Sequence, residues 1–226
     1  TYLPLQLDFD RNIGPEDDGE RMTLNVQPLT SFEINDDWNL ISRTIVPLIQ
    51  QDDIFPGSGE QAGFGDIVQS FFFSPTKPTE DGWIWGAGPV ILAPTATDDY
   101  LGTDKWAAGP TFVMAKTEGP WTYGLLANHL SSFAGQSGSP HLNDTFVQPF
   151  FDYTTEGGLT YELTTETNYS WQTEEFSVPV IFTLNQFVQF GDQMMMIGGG
   201  LRYWAKSTDE DPEGLGFNIS IYFLFP

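Results

Sequence analysis

The sequence predicts an all-β fold: a transmembrane antiparallel up-and-down β-barrel of about 12 strands. Two observations carry this prediction. Apolar and polar residues alternate over long stretches, and tight turns alternate with longer loops along the chain. A strand points successive side chains to opposite faces, so this alternation gives one apolar and one polar face. In a membrane-spanning barrel the apolar face contacts lipid and the polar face lines the interior.

The alternation is clearest from residue 159 to residue 171. One face carries Leu159, Tyr161, Leu163, Thr165, Thr167, Tyr169 and Trp171. The other face carries Thr160, Glu162, Thr164, Glu166, Asn168 and Ser170. The last stretch repeats the pattern, with Leu215, Phe217, Ile219, Ile221, Phe223 and Phe225 on one face. Apolar rows of this length with aromatic ends are typical of lipid-facing strands, whose aromatic residues lie at the two membrane surfaces.

The strands are predicted from these patterns and from the turn residues between them. They span 2–11, 20–34, 38–51, 64–75, 83–96, 106–117, 121–133, 144–155, 159–172, 176–190, 194–206 and 214–225. Tight turns of Gly, Asn, Asp and Pro join them at 35–37, 79–82, 118–120, 156–158 and 191–193. Longer polar loops are expected at 12–19, 52–63, 97–105, 134–143, 173–175 and 207–213. Short turns are the periplasmic ones in outer-membrane barrels. Ten or fourteen strands remain alternatives to twelve.

Proline is the residue type that fits these strands least well. It removes a hydrogen-bond donor from the sheet, and a closed barrel has no edge strand to accommodate it. We therefore expect local bulges at the prolines inside predicted strands, which are Pro28, Pro47, Pro89, Pro110, Pro149 and Pro179.

Composition bounds the possible classes of protein. The length of 226 residues suits a single barrel domain, 1–226. With 31 acidic and 8 basic residues the net charge is −23, which argues against a nucleic-acid partner. Hydrophobic residues make up 40% and aromatic residues 15%, which argues against disorder. The absence of cysteine excludes disulfides and thiolate metal sites. No apolar stretch approaches the length of a membrane helix. No signal peptide is visible, so the chain is expected to be a mature form.

Several segments resemble one family of bacterial outer-membrane proteins. They are 38–47 (WNLISRTIVP), 64–75 (FGDIVQSFFFSP), 83–89 (WIWGAGP), 93–98 (APTATD), 199–204 (GGLRYW) and 223–226 (FLFP). Together they are similar to the transporter-like family of the phenol-degradation meta-pathway, some members of which are labelled neuromedin U. The resemblance covers nearly the whole chain. It implies a β-barrel with a transport role, and it implies no catalytic residues.

Charged residues on the polar faces are the candidates for lining the lumen and setting its selectivity. They are Asp8, Asp10, Glu33, Arg43, Asp66, Glu162, Glu166 and Arg202. Arg43 and Arg202 are the only arginines that the pattern places inside, and two interpretations stay open. In the first they oppose carboxylates across a selectivity constriction, and in the second they belong to an ion-pair network that fills the bore. Gly86, Gly88, Gly198 and Gly200 are expected to point inward, widening the bore or letting a neighbouring group approach.

Other chemistry is less well supported by the sequence. His129 has Asn128, Ser131 and Ser132 beside it, but neighbours along one strand face opposite ways and do not form a triad. His129 and His141 are therefore predicted to be loop or interfacial residues. Acidic loops such as 16–18 and 209–211 have the oxygen ligands that Ca²⁺ prefers, but 16–19 lacks the spacing of a defined calcium loop. We therefore expect no catalytic residue, no metal site and no cofactor.

Three functions are consistent with these features. The first is an outer-membrane channel for passive passage of small solutes, cation-preferring if open. The second is a non-conducting structural or surface-interaction barrel whose lumen is filled by side chains. The third is a hydrolase at the membrane rim. The expected partners are outer-membrane lipid and lipopolysaccharide, an unknown small solute, and the assembly machinery acting on the C-terminal strand.

Overall fold

Fifteen β-segments wind through residues 2–225, the part of the chain that this computed structural model describes. They are β1 (Tyr2–Ile13), β2 (Gly19–Val26), β3 (Leu29–Asn35), β4 (Trp38–Asp52), β5 (Gln61–Phe64), β6 (Ile67–Pro75), β7 (Ile84–Ala93), β8 (Lys105–Glu118), β9 (Trp121–Gly135), β10 (Asn143–Thr154), β11 (Leu159–Thr165), β12 (Thr167–Ser170), β13 (Glu175–Phe190), β14 (Gln193–Lys206) and β15 (Gly214–Leu224).

These segments form 12 barrel strands, because three strands are interrupted. The pairs β2 and β3, β5 and β6, and β11 and β12 each continue one strand across a short break. Every strand pairs antiparallel with its neighbours in the chain, and β15 pairs with β1 to close the barrel. Closure leaves no edge strand with unpaired backbone groups. A β-protein that spans a membrane requires this, because lipid offers those groups no hydrogen bonds. The predicted fold class and strand number are confirmed.

Most connections alternate in length as predicted, but the β6–β7 connection at the short-turn end spans residues 76–83 and is longer than the predicted turn. One end of the barrel has turns such as 36–37 and 119–120, and the other end has loops that reach 11 residues at 94–104. One prediction of a longer loop was wrong, since residues 171–174 form a compact turn of four residues between β12 and β13. Both ends of the described chain, Tyr2 and Leu224, pair with each other at the short-turn end.

Some of the strand prolines coincide with irregular pairing. The break between β2 and β3 contains Pro28, and the register of β13 with β14 shifts immediately before Pro179. By contrast, Pro89 and Pro110 lie directly opposite each other on β7 and β8 without a register shift, and Pro149 keeps a regular register with β9. The expectation of bulges is therefore confirmed at some of these prolines and wrong for the β9 side of Pro149.

The outer surface is apolar and ends in aromatic clusters at both rims. At the short-turn rim the ring of Trp121 lies 4.5 Å from Tyr153 and 5.0 Å from Phe151, between ring centroids. At the loop rim Tyr169 lies 5.0 Å from Trp171 and 4.5 Å from Phe176. Between the rims, Leu163, Phe182, Leu201, Phe217 and Ile219 are among the exposed large side chains. Residues 2–225 contain no helix long and apolar enough to cross a membrane.

The inner surface has two unlike walls. One wall, on β10 to β15, β1 and β2, is mainly polar and carries buried residues such as Asp8, Thr164, Arg202 and Asn218. The facing wall, on β6 to β9, is mainly apolar. Its buried residues include Phe72, Val90, Leu92, Ala107 and Leu126, with Ser70, Ser74 and Thr111 among them. The mainly polar wall therefore offers water and ions more hydrogen-bonding groups than the facing wall.

Candidate functional site in the lumen

Two cavities lie inside the barrel, one toward each end. The larger, about 960 Å³, lies beneath the long loops, and Arg21, Tyr100, Asp144, Asn168 and Asp209 are among its lining residues. The smaller, about 190 Å³, lies toward the short turns. Its lining includes Gln6, Arg43, Glu162, Glu166 and Tyr222. The polar wall supplies most of the charged groups of both cavities.

A layer of buried charge separates the two cavities. On β12 and β13 the lining of the larger cavity stops at Asn168 and Ser177, and that of the smaller begins at Glu166 and Ile181. Asp8, Asp10 and Arg202 line neither cavity and are only 4%, 6% and 8% exposed. The three residues come from β1 and β14 and lie at the height of the boundary.

Arg202 is the centre of this layer. Its Nη1 atom lies 3.0 Å from Glu166 Oε2 and 3.4 Å from Asp8 Oδ1, and its Nε atom lies 3.5 Å from Asp10 Oδ1. Trp204 donates from its indole N–H to Asp10 Oδ1 at 2.8 Å, and its ring centroid lies 5.0 Å from the guanidinium carbon. Three carboxylates thus surround one guanidinium, so the cluster carries a net charge of −2 when all four groups are ionised. We call Asp8, Asp10, Glu166 and Arg202 the Arg202 cluster.

Glutamines extend the cluster toward β4. Gln6 donates to Asp8 Oδ2 at 3.1 Å and to Glu166 Oε1 at 3.5 Å. Gln27 donates to Gln6 Oε1 at 3.4 Å, and Arg43 donates to Gln27 Oε1 at 2.6 Å. Arg43 therefore joins the network through a glutamine rather than by direct contact with a carboxylate.

Glu162 lies on the short-turn side of the Arg202 cluster, where a hydroxyl and an amide group donate hydrogen bonds to it. Thr183 donates to Glu162 Oε2 at 3.2 Å, and Asn185 donates to the same oxygen at 2.9 Å. Asn185 is completely buried and fills the space above Gly198, where an added Cβ would lie 1.7 Å from its Oδ1 atom. Gly198 therefore lets a neighbouring side chain approach. This is the second of the two expectations for the inward glycines, the first being a wider bore. Within residues 2–225 Glu162 has no ion pair, and Asp152 faces it across β10 and β11.

Asp66 is placed differently from the open lumen position that the sequence predicts. The register of β4 shifts by one residue between β5 and β6, so Gly65 and Asp66 form a bulge. The Asp66 carboxylate accepts backbone N–H groups from Thr95 at 3.0 Å, Ala96 at 3.1 Å and Thr103 at 2.7 Å. It therefore anchors both ends of the 94–104 loop and does not line either cavity.

The anchored loop packs onto the inner face of β5. Leu101 is 5% exposed, and an added Cβ on Gly63 would lie 3.2 Å from its Cδ1 atom. Gln51, which is 2% exposed, donates to the carbonyl oxygen of Tyr100 at 3.1 Å.

Replacing Asp66 by Asn is expected to loosen this loop. Asn keeps one acceptor oxygen, but its amide group would face the N–H of Thr103, donor against donor, at a cost of about 1–3 kcal/mol. We expect faster chymotrypsin cleavage after Tyr100 in detergent-solubilised protein. Asp98→Asn is the matched control, since Asp98 Oδ1 accepts one backbone N–H, that of Tyr100. Equal cleavage rates for both variants would contradict the anchoring role.

The other predicted lumen residues lie as follows. Glu33 is exposed near the short-turn end of β3, opposite Asn39. Arg21 is an inward arginine that the sequence analysis missed, so the statement that Arg43 and Arg202 are the only ones inside was wrong. It lies opposite Asp10 on β1 and donates to Gln51 Oε1 at 2.9 Å. The available signal was the alternation along β2, which places Arg21 on the same face as the polar residues Thr23 and Asn25.

A Ser–His contact does exist at the loop rim. Ser132 Oγ lies 3.1 Å from His141 Nδ1, and the same oxygen accepts the N–H of Leu142 at 3.1 Å. In the described part of the chain, no carboxylate or amide side chain hydrogen-bonds the other ring nitrogen of His141. His129 instead contacts Thr145 Oγ1 at 2.9 Å. A base without an orienting group is a poor basis for nucleophilic catalysis. Among residues 2–225 no three His, Asp or Glu side chains converge to hold a metal ion.

Comparisons with known proteins place the fold. No protein-family profile and no curated protein sequence match the chain. Solved structures do match it over 99% of its length. An outer-membrane channel from Pseudomonas putida F1 has a TM-score of 0.75 at 14% identity, over 94% of that chain. The NanC porin has a TM-score of 0.60 at 10% identity, over its full length. Outer membrane phospholipase A from Escherichia coli has a TM-score of 0.52 at 9% identity, over 96% of that chain.

At these identities the similarity establishes the fold and nothing finer. The matched proteins are bacterial outer-membrane β-barrels, and the present chain has the apolar outer face and the two aromatic rims that this membrane requires. The prediction of an outer-membrane barrel is confirmed. The narrower resemblance to the phenol-degradation transporter-like family stays a prediction.

Proposed function

We propose that the protein is a passive outer-membrane channel for small solutes, and that it prefers cations. The observation that carries this proposal is the polar wall, which runs from the loop mouth to the short-turn end and borders a cavity on each side of the Arg202 cluster. A barrel with a purely structural role would not need solvent-sized space at both ends of a charged track. Two of the similar folds belong to proteins described as a channel and a porin, which agrees with this proposal.

The cation preference follows from the charges along this track. The inward carboxylates are Asp8, Asp10, Asp144, Asp152, Glu162 and Glu166, and the inward arginines are Arg21, Arg43 and Arg202. The loops at the mouth add further carboxylates such as Asp209 and Asp211. A narrow bore in a low-dielectric wall focuses this negative potential, which concentrates cations and excludes anions.

The second candidate is a non-conducting barrel, which the Arg202 cluster favours because buried side chains separate the two cavities. Single-channel recording in planar bilayers distinguishes the two. We expect discrete conductance steps, with a cation-selective reversal potential in a KCl gradient that weakens as salt concentration rises. Folded protein that gives no steps would favour the structural barrel, and anion selectivity would reject the charge argument.

Glu162 provides a sharper test of the cation preference. It lines the smaller cavity without an ion pair in the described chain, so Glu162→Gln removes one uncompensated negative charge. We expect the reversal potential of this variant to move toward zero while unitary conductance remains measurable. Glutamine keeps an oxygen that accepts hydrogen bonds from Thr183 and Asn185.

Glu118→Gln is the control for that experiment. Glu118 lies at the end of β8, is 55% exposed and pairs with Lys116. Its replacement should leave the reversal potential unchanged. If both variants shift it equally, the selectivity comes from overall surface charge and not from the lumen.

We further propose that outer-membrane lipid covers the apolar outer face and that divalent cations bridge the acidic loops to lipopolysaccharide. The loop carboxylates at Glu16, Asp18, Asp53 and Asp209 lie at the rim where phosphorylated lipid headgroups would be. A rim hydrolase receives no comparable support, because the Ser132–His141 contact is not accompanied by an orienting group.

A further inference from the structure

Arg202 differs from the other two inward arginines in its surroundings. Arg21 and Arg43 each donate to a glutamine oxygen, whereas Arg202 contacts three carboxylates. It is also the cation at the boundary between the two cavities. We propose that Arg202 is the residue that closes the bore and sets its ion selectivity, occupying the position that a permeating cation would otherwise take. This inference rests on the proposed channel function.

The backbone around Arg202 gives its partners room to converge. Gly216 lies opposite Arg202 on β15, and an added Cβ there would lie 2.7 Å from Asp10 Oδ1. Without a side chain at this position, the carboxylate of Asp10 on β1 reaches across β15 to the guanidinium on β14. Asn218 donates to Asp8 Oδ1 at 2.6 Å and fixes the second carboxylate. The β1 side of the cluster is therefore held rigidly.

The Glu166 side is held less firmly. Glu166 lies in the break between β11 and β12, and its N–H donates to the carbonyl of Pro179 at 3.3 Å. The register of Phe150 with Thr164 places Pro149 next to Thr165 on the other flank. Both neighbouring strands thus carry a proline, which has no N–H to donate to this segment. Glu166 nevertheless accepts the shortest contact of Arg202, a hydrogen bond of 3.0 Å from Nη1, so the guanidinium is bound to a segment that has few backbone hydrogen bonds.

Charge explains why Arg202 would control selectivity as well as closure. With Arg202 present the cluster carries −2, and without it the three carboxylates carry −3 between the two cavities. Loss of the guanidinium removes both an obstacle and a positive charge. Cations should then enter more easily, and a free guanidinium ion should fit the vacated position because its planar N–H groups match carboxylate oxygens.

The test compares wild-type protein with Arg202→Gln and Arg202→Lys in planar bilayers, after heat-modifiable gel mobility has established folding. We expect Arg202→Gln to conduct several-fold more than wild type and to be more cation-selective. Guanidinium chloride should reduce its current below that in sodium chloride of the same ionic strength, and should have no such effect on wild type. Arg202→Lys should stay close to wild type, since it retains the positive charge.

Each outcome decides the proposal. If Arg202→Gln is folded and its conductance and guanidinium sensitivity equal those of wild type, Arg202 does not close the bore. A silent wild type with a conducting Arg202→Gln rejects an open wild-type channel, and with it a role of Arg202 in selectivity, and supports only closure of the bore by Arg202. Silence of both proteins rejects both proposals. The double variant Arg202→Gln/Glu166→Gln keeps the net charge of the cluster and replaces the single variant if unpaired carboxylates prevent its folding. It should conduct more than wild type and respond less to guanidinium.

Discussion

Deleting Tyr222 to Pro226 is expected to abolish assembly of the barrel in membranes. Residues Tyr222 to Leu224 of this segment belong to β15, the strand that closes the barrel between β14 and β1. The deletion removes the pairs of Tyr222 with Pro4 and of Phe223 with Leu3, and the corresponding pairs with Met195 and Met196. Backbone groups left open in lipid cost several kcal/mol each. The truncated chain should not reach a folded, inserted state.

Two readouts check this result. Heat-modifiable gel mobility reports the closed barrel, and flotation with vesicles reports insertion. Outer-membrane barrels end in alternating aromatic residues, and the segment carries Phe223 and Phe225, so we also propose that the assembly machinery recognises it. Phe225→Ala, refolded into vesicles without the assembly machinery, is the control for closure, because it leaves every described strand pair of β15 in place. Normal mobility and insertion of the truncated chain would show that β15 is dispensable for closure.

The outer surface of the barrel could be predicted from the sequence because apolar residues recur at every second position, and this alternation fixes which side chains face outward. The predicted strand 159–172 matches β11 and β12 together, and the predicted strand 176–190 matches β13 within one residue. A slip of one residue would send a whole row of apolar side chains to the wrong face. The lipid face therefore specifies strand position strongly, and both rims follow from the aromatic ends of these rows.

The apolar inner wall could not be predicted, since period two distinguishes faces only where they differ in polarity. Phe71, Phe72 and Phe73 are all apolar, yet Phe72 is 3% exposed inside the barrel and Phe73 is 46% exposed outside. Strand pairing supplies the missing information. Ser70 lies opposite Arg43, which fixes the even positions of β6 as inward.

The contacts within the candidate site could not be predicted from the sequence, for a different reason. Asp8, Glu166 and Arg202 were all placed on inward faces, but their convergence depends on closure of the barrel, which brings β1 next to β15 and within reach of β14. Asp66 illustrates the opposite case. Its partners lie in a loop about 30 residues further along the chain, and no alternation pattern links an anchor to a loop that folds back on it.

Replacing Ile219 by Arg is expected to destabilise the barrel by about 2–4 kcal/mol, which is the cost of a charged side chain on the lipid face near the bilayer midplane. Ile219 is 52% exposed on the outer face at the centre of β15, between Leu7 on β1 and Gly199 on β14. The free energy of unfolding in lipid vesicles, from a denaturant titration, measures the effect.

Leu215→Arg is the matched control for this prediction. Leu215 lies on the same face of β15 as Ile219 and has a similar exposure, 49%. It differs in lying beside the loop end of the strand. Near the membrane surface the long arginine side chain can reach water, so the cost should fall to about 0–1 kcal/mol. The difference between the two variants reports depth in the bilayer, because side-chain size and charge are the same in both. Equal costs, or no cost at Ile219, would mean that the apolar face of β15 does not contact the hydrocarbon core.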